Sequence, residues 1–170
     1  MANKNNKQQQ QKNLTDQQLR QLLAIQGVSS ECFRYMMCQP KHARYFCKHY
    51  LTKKLTNKMY LRQIEMLSDR FVDPHVQAYI GDVVLRAPTR PKQGWVYIII
   101  LQCCRSHPLM PFYLDHCHKR VLKMHAATIK DDTPVDVYPA IYYTGQGRYP
   151  GPTTVEEALE GIANTPIGEA

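Results

Sequence analysis

Apolar positions recur at helical spacing along the first seventy residues and then give way to unbroken apolar runs. Leu19, Leu22, Leu23 and Ile25 form a short amphipathic set. Thr15 with Gln18 three residues later is a capping-box pair that opens it, and Gly27 closes it. Ser29 or Ser30 caps a second helix reaching Cys38, which Pro40 ends. A third helical stretch runs from about residue 42 to 51. A fourth is predicted over about 57–71, where Tyr60, Ile64, Leu67 and Phe71 stand at spacings of 4, 3 and 4. Beyond it the period changes. Tyr79–Ile80 and Val83–Val84–Leu85 flank Gly81, and residues 95–101 are all β-branched, aromatic or leucine. These read as two strands joined by the turn-rich segment RAPTRPKQG. The second does not alternate, so it is expected to be covered on both faces. Pro111 opens a helix with Leu114, Cys117, Val121 and Met124 at spacings of 3, 4 and 3. Another strand is predicted over 135–143, which Pro139 makes an edge strand or a broken one. Thr154 and Glu157 make a second capping box, which starts a closing helix. The expected class is α+β. A helical N-terminal half of about four helices packs with a small, mostly antiparallel sheet and a closing C-terminal helix.

Composition sets the frame for these elements. With 170 residues, 44% of them hydrophobic, the chain suits one domain, expected over residues 14–163. Residues 1–13 are almost wholly Asn, Gln and Lys and read as a disordered basic arm, and 164–170 as a flexible tail. The longest apolar run is far short of the roughly 20 residues a membrane span needs, and no apolar stretch resembles a secretory signal. The expected location is inside a cell, in cytoplasm or nucleus, or within a virion. Six cysteines are too sparse for a secreted disulfide scaffold and are expected to be thiols in the core or metal ligands. Phosphate-loop, dinucleotide, zinc-protease and serine-hydrolase motifs are absent.

Charge changes the picture. The net charge is +8, but residues 1–60 carry 11 Lys/Arg against 2 Asp/Glu, whereas residues 131–170 carry 1 against 7. The stretch 32–64 has no acidic residue. Within it Arg34, Lys41, Arg44, Lys48, Lys53, Lys54 and Lys58 are interleaved with Tyr35, Tyr45 and Tyr50. Lysine and arginine neutralise phosphates and release counterions, and exposed aromatic faces stack on unpaired bases. These ten residues are the expected nucleic-acid-binding set, with RNA or single strands favoured by the tyrosines and little sequence specificity. The leading expectation is a non-enzymatic binder in the style of a viral nucleocapsid or accessory protein. The alternative is an adaptor whose basic stretch meets an acidic protein surface. Either reading accommodates a homo-oligomer.

Two clusters carry other chemistry. Cys38, His42, Cys47 and His49 have the residue types of a zinc site, at a spacing unlike paired CxxC knuckles. Zinc is the one cofactor the sequence suggests. Farther on, the string LDHCHKRVL holds Asp115, His116 and His118 and resembles the Asp-His-x-His step of HNH/endonuclease VII-type nucleases. That resemblance implies a metal-dependent nuclease with His116 as general base and Asp115 and His118 at the ion. It covers about nine residues and lacks the family's two CxxC knuckles. The segment also has the period of a helix where the family has a β-hairpin.

Overall fold

The computed structural model describes residues 15–23, 29–67, 81–90, 93–129 and 133–163. The predicted arm, the Gly27 stop, Tyr79–Ile80, Phe71 and the tail lie outside them. The helices are α1 (Asp16–Leu23), α2 (Ser30–Met37), α3 (Pro40–Tyr50), α4 (Lys53–Lys58), α5 (Met110–Thr128) and α6 (Val155–Ala163). The strands are β1 (Glu65–Met66), β2 (Gly81–Pro88), β3 (Trp95–Cys103) and β4 (Val135–Tyr143). The class is α+β, as the residue pattern predicts.

Side-chain caps fix the helix starts. The Thr15 and Gln18 pair bonds in both directions, at 3.2 and 2.9 Å. The Ser29 hydroxyl accepts from the Cys32 N–H at 3.2 Å. In the closing helix the Thr154 hydroxyl accepts from the Glu157 N–H at 3.2 Å, and the Glu157 carboxylate accepts in return from the N–H groups of Thr153 and Thr154. Pro40 and Pro111 sit in the first turns of α3 and α5, where a missing N–H costs nothing.

The sheet runs in the order β1-β2-β3-β4. The first two pairings are antiparallel and the third, β3 with β4, is parallel, so the sheet is mixed. A parallel neighbour needs a crossover, and α5 supplies it. Every residue of β3 from Val96 to Cys103 is buried. Val96, Ile98 and Ile100 face Phe33, Phe46 and the other apolar residues of α2 and α3. Tyr97, Ile99, Leu101 and Cys103 face Met110, Cys117 and Val121 of α5. This is why the run shows no alternation: both faces are core. Pro139 lies in β4, the edge strand, as expected from its missing N–H.

The predicted fourth helix is a correction. After α4 the chain makes a single 3-10 turn at Leu61–Gln63 and then the short strand β1. The backbone there is claimed by β2: the Tyr60 N–H donates to the Pro88 carbonyl and the Leu67 N–H to that of Val84, both at 2.8 Å. Met59, Leu61 and Ile64 are buried, so the apolar positions serve packing against the sheet. Among the described residues no helix is long and apolar enough to cross a membrane.

Gly94 holds the first rung of the parallel pairing. A Cβ there would lie 2.5 Å from the Pro134 carbonyl oxygen, which accepts from the Trp95 N–H at 2.8 Å. Gly94→Val is therefore expected to push β4 from β3 and to destabilise the fold by about 1–3 kcal/mol, the range for overpacking. Urea denaturation checks this, and an unchanged midpoint would refute it.

Candidate functional site

On α3 the buried side chains His42, Ala43, Phe46 and Cys47 turn inward, which leaves Lys41, Arg44 and Lys48 along the other side at spacings of 3 and 4. The 3-10 turn brings Arg62 to them, and the end of β2 brings Arg90. These five cations line one cleft of about 470 Å³ together with Tyr45 and His49, and among the described residues the only carboxylate in its wall is Asp16 of α1. Arg90 is fixed from behind: its Nε donates to the Met59 carbonyl at 2.9 Å and its guanidinium lies 5.8 Å from the Tyr60 ring centre. Arg44 is steadied by its own helix, with Nε on the Pro40 carbonyl at 3.2 Å. His49 stacks on Tyr45 at 3.9 Å, with its Nδ1 2.8 Å from the Tyr45 carbonyl. So many cations around one concavity concentrate positive potential and favour a phosphate-bearing chain.

The remaining members of the predicted basic set lie elsewhere. Arg34 spends its guanidinium on two backbone carbonyls, Asp82 at 2.9 Å and Leu67 at 3.3 Å, and so ties α2 to the start of β2. Lys53, Lys54 and Lys58 are on α4. Lys58 is engaged by the Tyr138 hydroxyl at 3.0 Å and by Asp136 at 3.6 Å. The tyrosines divide as well. Tyr45 is 8% exposed and packs in the core, whereas Tyr35 and Tyr50 are 60% and 47% exposed. Tyr50 already stacks on Phe46 at 4.9 Å. Arg62 and Arg90 complete the cleft but were absent from the predicted set. Arg62 stood in the acid-free stretch, while Arg90 is 26 residues beyond its end in sequence.

The predicted zinc ligands do not converge. Among the described residues no three His, Cys, Asp or Glu come together as a metal-holding group. Cys38 is exposed near Met66, and His42 is buried with Nδ1 at 3.1 Å from the Met36 carbonyl. Burial lowers the His42 pKa and pushes the Cys47 thiol up to about 12, so Cys47 is a neutral core thiol. His49 is held in the Tyr45 stack. Asp115, His116 and His118 lie on the regular helix α5, with no β-hairpin. Asp115 pairs with Lys119 at 2.6 Å on the surface, and Cys117 between the histidines is in the core.

A further candidate lies in the sheet. Asp82 is 1% exposed, the one acid among the buried described residues. It sits at the amino end of β2, beside the carboxyl ends of β3 and β4, where open α/β sheets place their ligands. Its cross-strand partner is Leu101, and Cys103 follows two residues along on the same face. Gln102, also buried, points to the other face. The only sequence signal for Asp82 was an acid inside an apolar strand, in GDVVL. Six residues of strand, roughly 20 Å, separate Asp82 from the end of β2 that carries the cationic cleft.

Comparison with known proteins decides between the readings. Residues 30–167 match the profile of the family described as "Putative transposase, YhgA-like". The recombination-promoting nuclease RpnD of Escherichia coli O157:H7 is 28% identical over 120 residues, covering 71% of this chain and 46% of that protein. The inactive recombination-promoting nuclease-like protein RpnE of Escherichia coli strain K12 is 25% identical over 114 residues, covering 67% of this chain and 38% of that protein. The chain thus spans less than half the length of these curated relatives. No solved structure matches it. These matches overturn the expectation of a non-enzymatic, RNA-preferring binder in the nucleocapsid style, which rested on composition alone. Composition reports a polyanion partner and is silent on what is done to it. With the match running over all four described strands and five of the six described helices, the chain belongs to the YhgA-like transposase family.

Proposed function

We propose that this chain is a DNA-acting nuclease domain, which holds the phosphate backbone in the cleft of Lys41, Arg44, Lys48, Arg62 and Arg90. The observation that carries the reading is the convergence of those five cations from three separate chain segments. The names of the relatives point the same way, since recombination is a reaction of DNA. Cleavage is assigned to Asp82, roughly 20 Å along β2 from the cleft, so the bond cut lies about six nucleotides along the strand from the phosphates that the cleft holds. A carboxylate enclosed beside Leu101 and Cys103 suits a general base that takes the proton of an attacking water. Among the described residues no three His, Cys, Asp or Glu gather around it as a metal-holding group.

Nicking of supercoiled plasmid, followed with Mg²⁺, with Mn²⁺ and with chelator, tests the assignment. Wild type is expected to nick, and Asp82→Asn, nearly the same in shape, is expected to nick about 100-fold more slowly with unchanged DNA affinity, the lower end for loss of a general base. Nicking that survives the substitution would remove Asp82 from the chemistry. An intact plasmid with wild type under every condition would refute cleavage itself.

A further inference from the structure

A second hollow, of about 300 Å³, adjoins the cationic cleft, and the two share Asp16, Tyr45 and His49 in their walls. Gln17 and Arg20 of α1 complete it. Asp16 and Arg20 are four residues apart and so lie on one side of α1. That helix is started by the Thr15–Gln18 capping pair and anchored by Leu19, which is fully buried. Asp16, Gln17 and Arg20 are exposed, and neither Asp16 nor Arg20 makes an ion pair among the described residues.

The chemistry of the hollow differs from that of the cleft. Among the described residues it sets one guanidinium against one carboxylate, with the neutral amide of Gln17 beside them. Balanced charge exerts no net pull on a phosphate, so what the hollow offers is directed hydrogen bonding. It also has a flat wall. The His49 ring is exposed, and one of its faces lies on Tyr45 at 3.9 Å, itself set in the core. A planar ring laid on the other face of His49 extends that stack. The shared wall puts such a ring next to any phosphate held in the cleft.

Among the DNA bases guanine alone carries neighbouring donors, N1–H and N2–H, that a carboxylate accepts as a pair, and neighbouring acceptors, O6 and N7, that match a guanidinium fork. Adenine and cytosine each have one amino donor, and thymine a single N–H. We propose that the hollow takes an unpaired guanine of the DNA strand whose phosphates lie in the cleft. The base stacks on His49, Asp16 accepts from N1–H and N2–H, and Arg20 donates to O6 and N7. The inference rests on the reading of the cleft as a phosphate site, and it adds base selection to contacts that are by themselves blind to sequence.

Fluorescence anisotropy of the full chain reads this, with labelled single strands of adenine that carry one central guanine, adenine, cytosine or thymine. The guanine strand is expected to bind about tenfold more tightly than the others, as for one bidentate base contact. Asp16→Asn should erase that preference and tighten the all-adenine strand about twofold, because a negative charge leaves the side of the cleft. Inosine in place of guanine, which lacks the N2 amino group, should lose most of the preference with wild type. His49→Ala should weaken all the strands about tenfold and leave the salt slope unchanged. Both positions are exposed, so both variants should melt with wild type. Paired with their complements the strands should bind alike, since pairing occupies N1–H and N2–H. Salt-dependent binding that is equal for all single strands overturns the guanine site and leaves the cleft reading intact. So does a guanine preference that survives Asp16→Asn or persists in the duplexes, or binding that His49→Ala does not change. Absence of binding, or binding indifferent to salt, overturns the cleft reading and the guanine site with it.

Discussion

Phe33→Ala is expected to lower the melting temperature by about 10 °C. Phe33 is fully buried and joins three parts of the fold. Its ring stacks on Tyr142 of β4 at 4.9 Å and meets the edge of Phe46 of α3 at 5.5 Å. Phe46 and Tyr50 also contact Tyr142, so the aromatic cluster fastens the helical half to the edge strand. Truncating such a side chain costs about 3–5 kcal/mol, of which part is transfer and part the cavity left behind. Domains of this size have about 5–15 kcal/mol of stability and lose about 2–4 °C for each kcal/mol. Differential scanning calorimetry gives the number. A shift of a degree or two would mean that the helices close over the gap, and that β4 is held by its backbone pairing alone.

DNA affinity should fall steeply with salt. Five cleft cations, each neutralising one phosphate of a duplex, imply a slope of log K against log salt of about −4.5, at roughly −0.9 per phosphate. From about 50 to about 200 mM salt that amounts to a loss of two to three decades. Arg44→Ala with Lys48→Ala should flatten the slope by about two units and weaken all sequences alike, because phosphate contacts carry no base information. Lys53→Ala, outside the cleft on α4, should leave the slope as it is. Fluorescence anisotropy across a salt series distinguishes these outcomes. Binding that is indifferent to salt, or a slope altered as much by Lys53→Ala as by the cleft pair, would take the phosphates out of the cleft.

Local sequence signals were sufficient for the elements whose ends are decided locally. The capping pairs Thr15–Gln18 and Thr154–Glu157, the N-cap Ser29, and Pro40 and Pro111 in first turns each act within one turn of helix. A reader of the chain can see both partners at once. The unbroken run in β3 likewise declared a strand with two covered faces, and Pro139 declared an edge, because each consequence belongs to the residue itself. The segment 57–71 behaved otherwise. Its apolar spacing fits a helix as well as it fits a turn and short strand, and the choice fell to hydrogen-bonding groups of β2 some twenty residues away.

The cationic cleft shows the same division. Lys41, Arg44 and Lys48 share one side of a helix, so their alliance could be read from spacing. Their partners Arg62 and Arg90 arrive through a 3-10 turn and the end of a strand, and no linear pattern connects them. Conversely Arg34 and Lys58, alike in type to the cleft residues, are claimed by the backbone carbonyl of Asp82 and by the Asp136 carboxylate. Residue type and density report a basic protein with a polyanion partner. Which charges converge, and which are spent on holding the fold, depends on contacts between segments far apart in the chain, and those exist only once the sheet has set their distances.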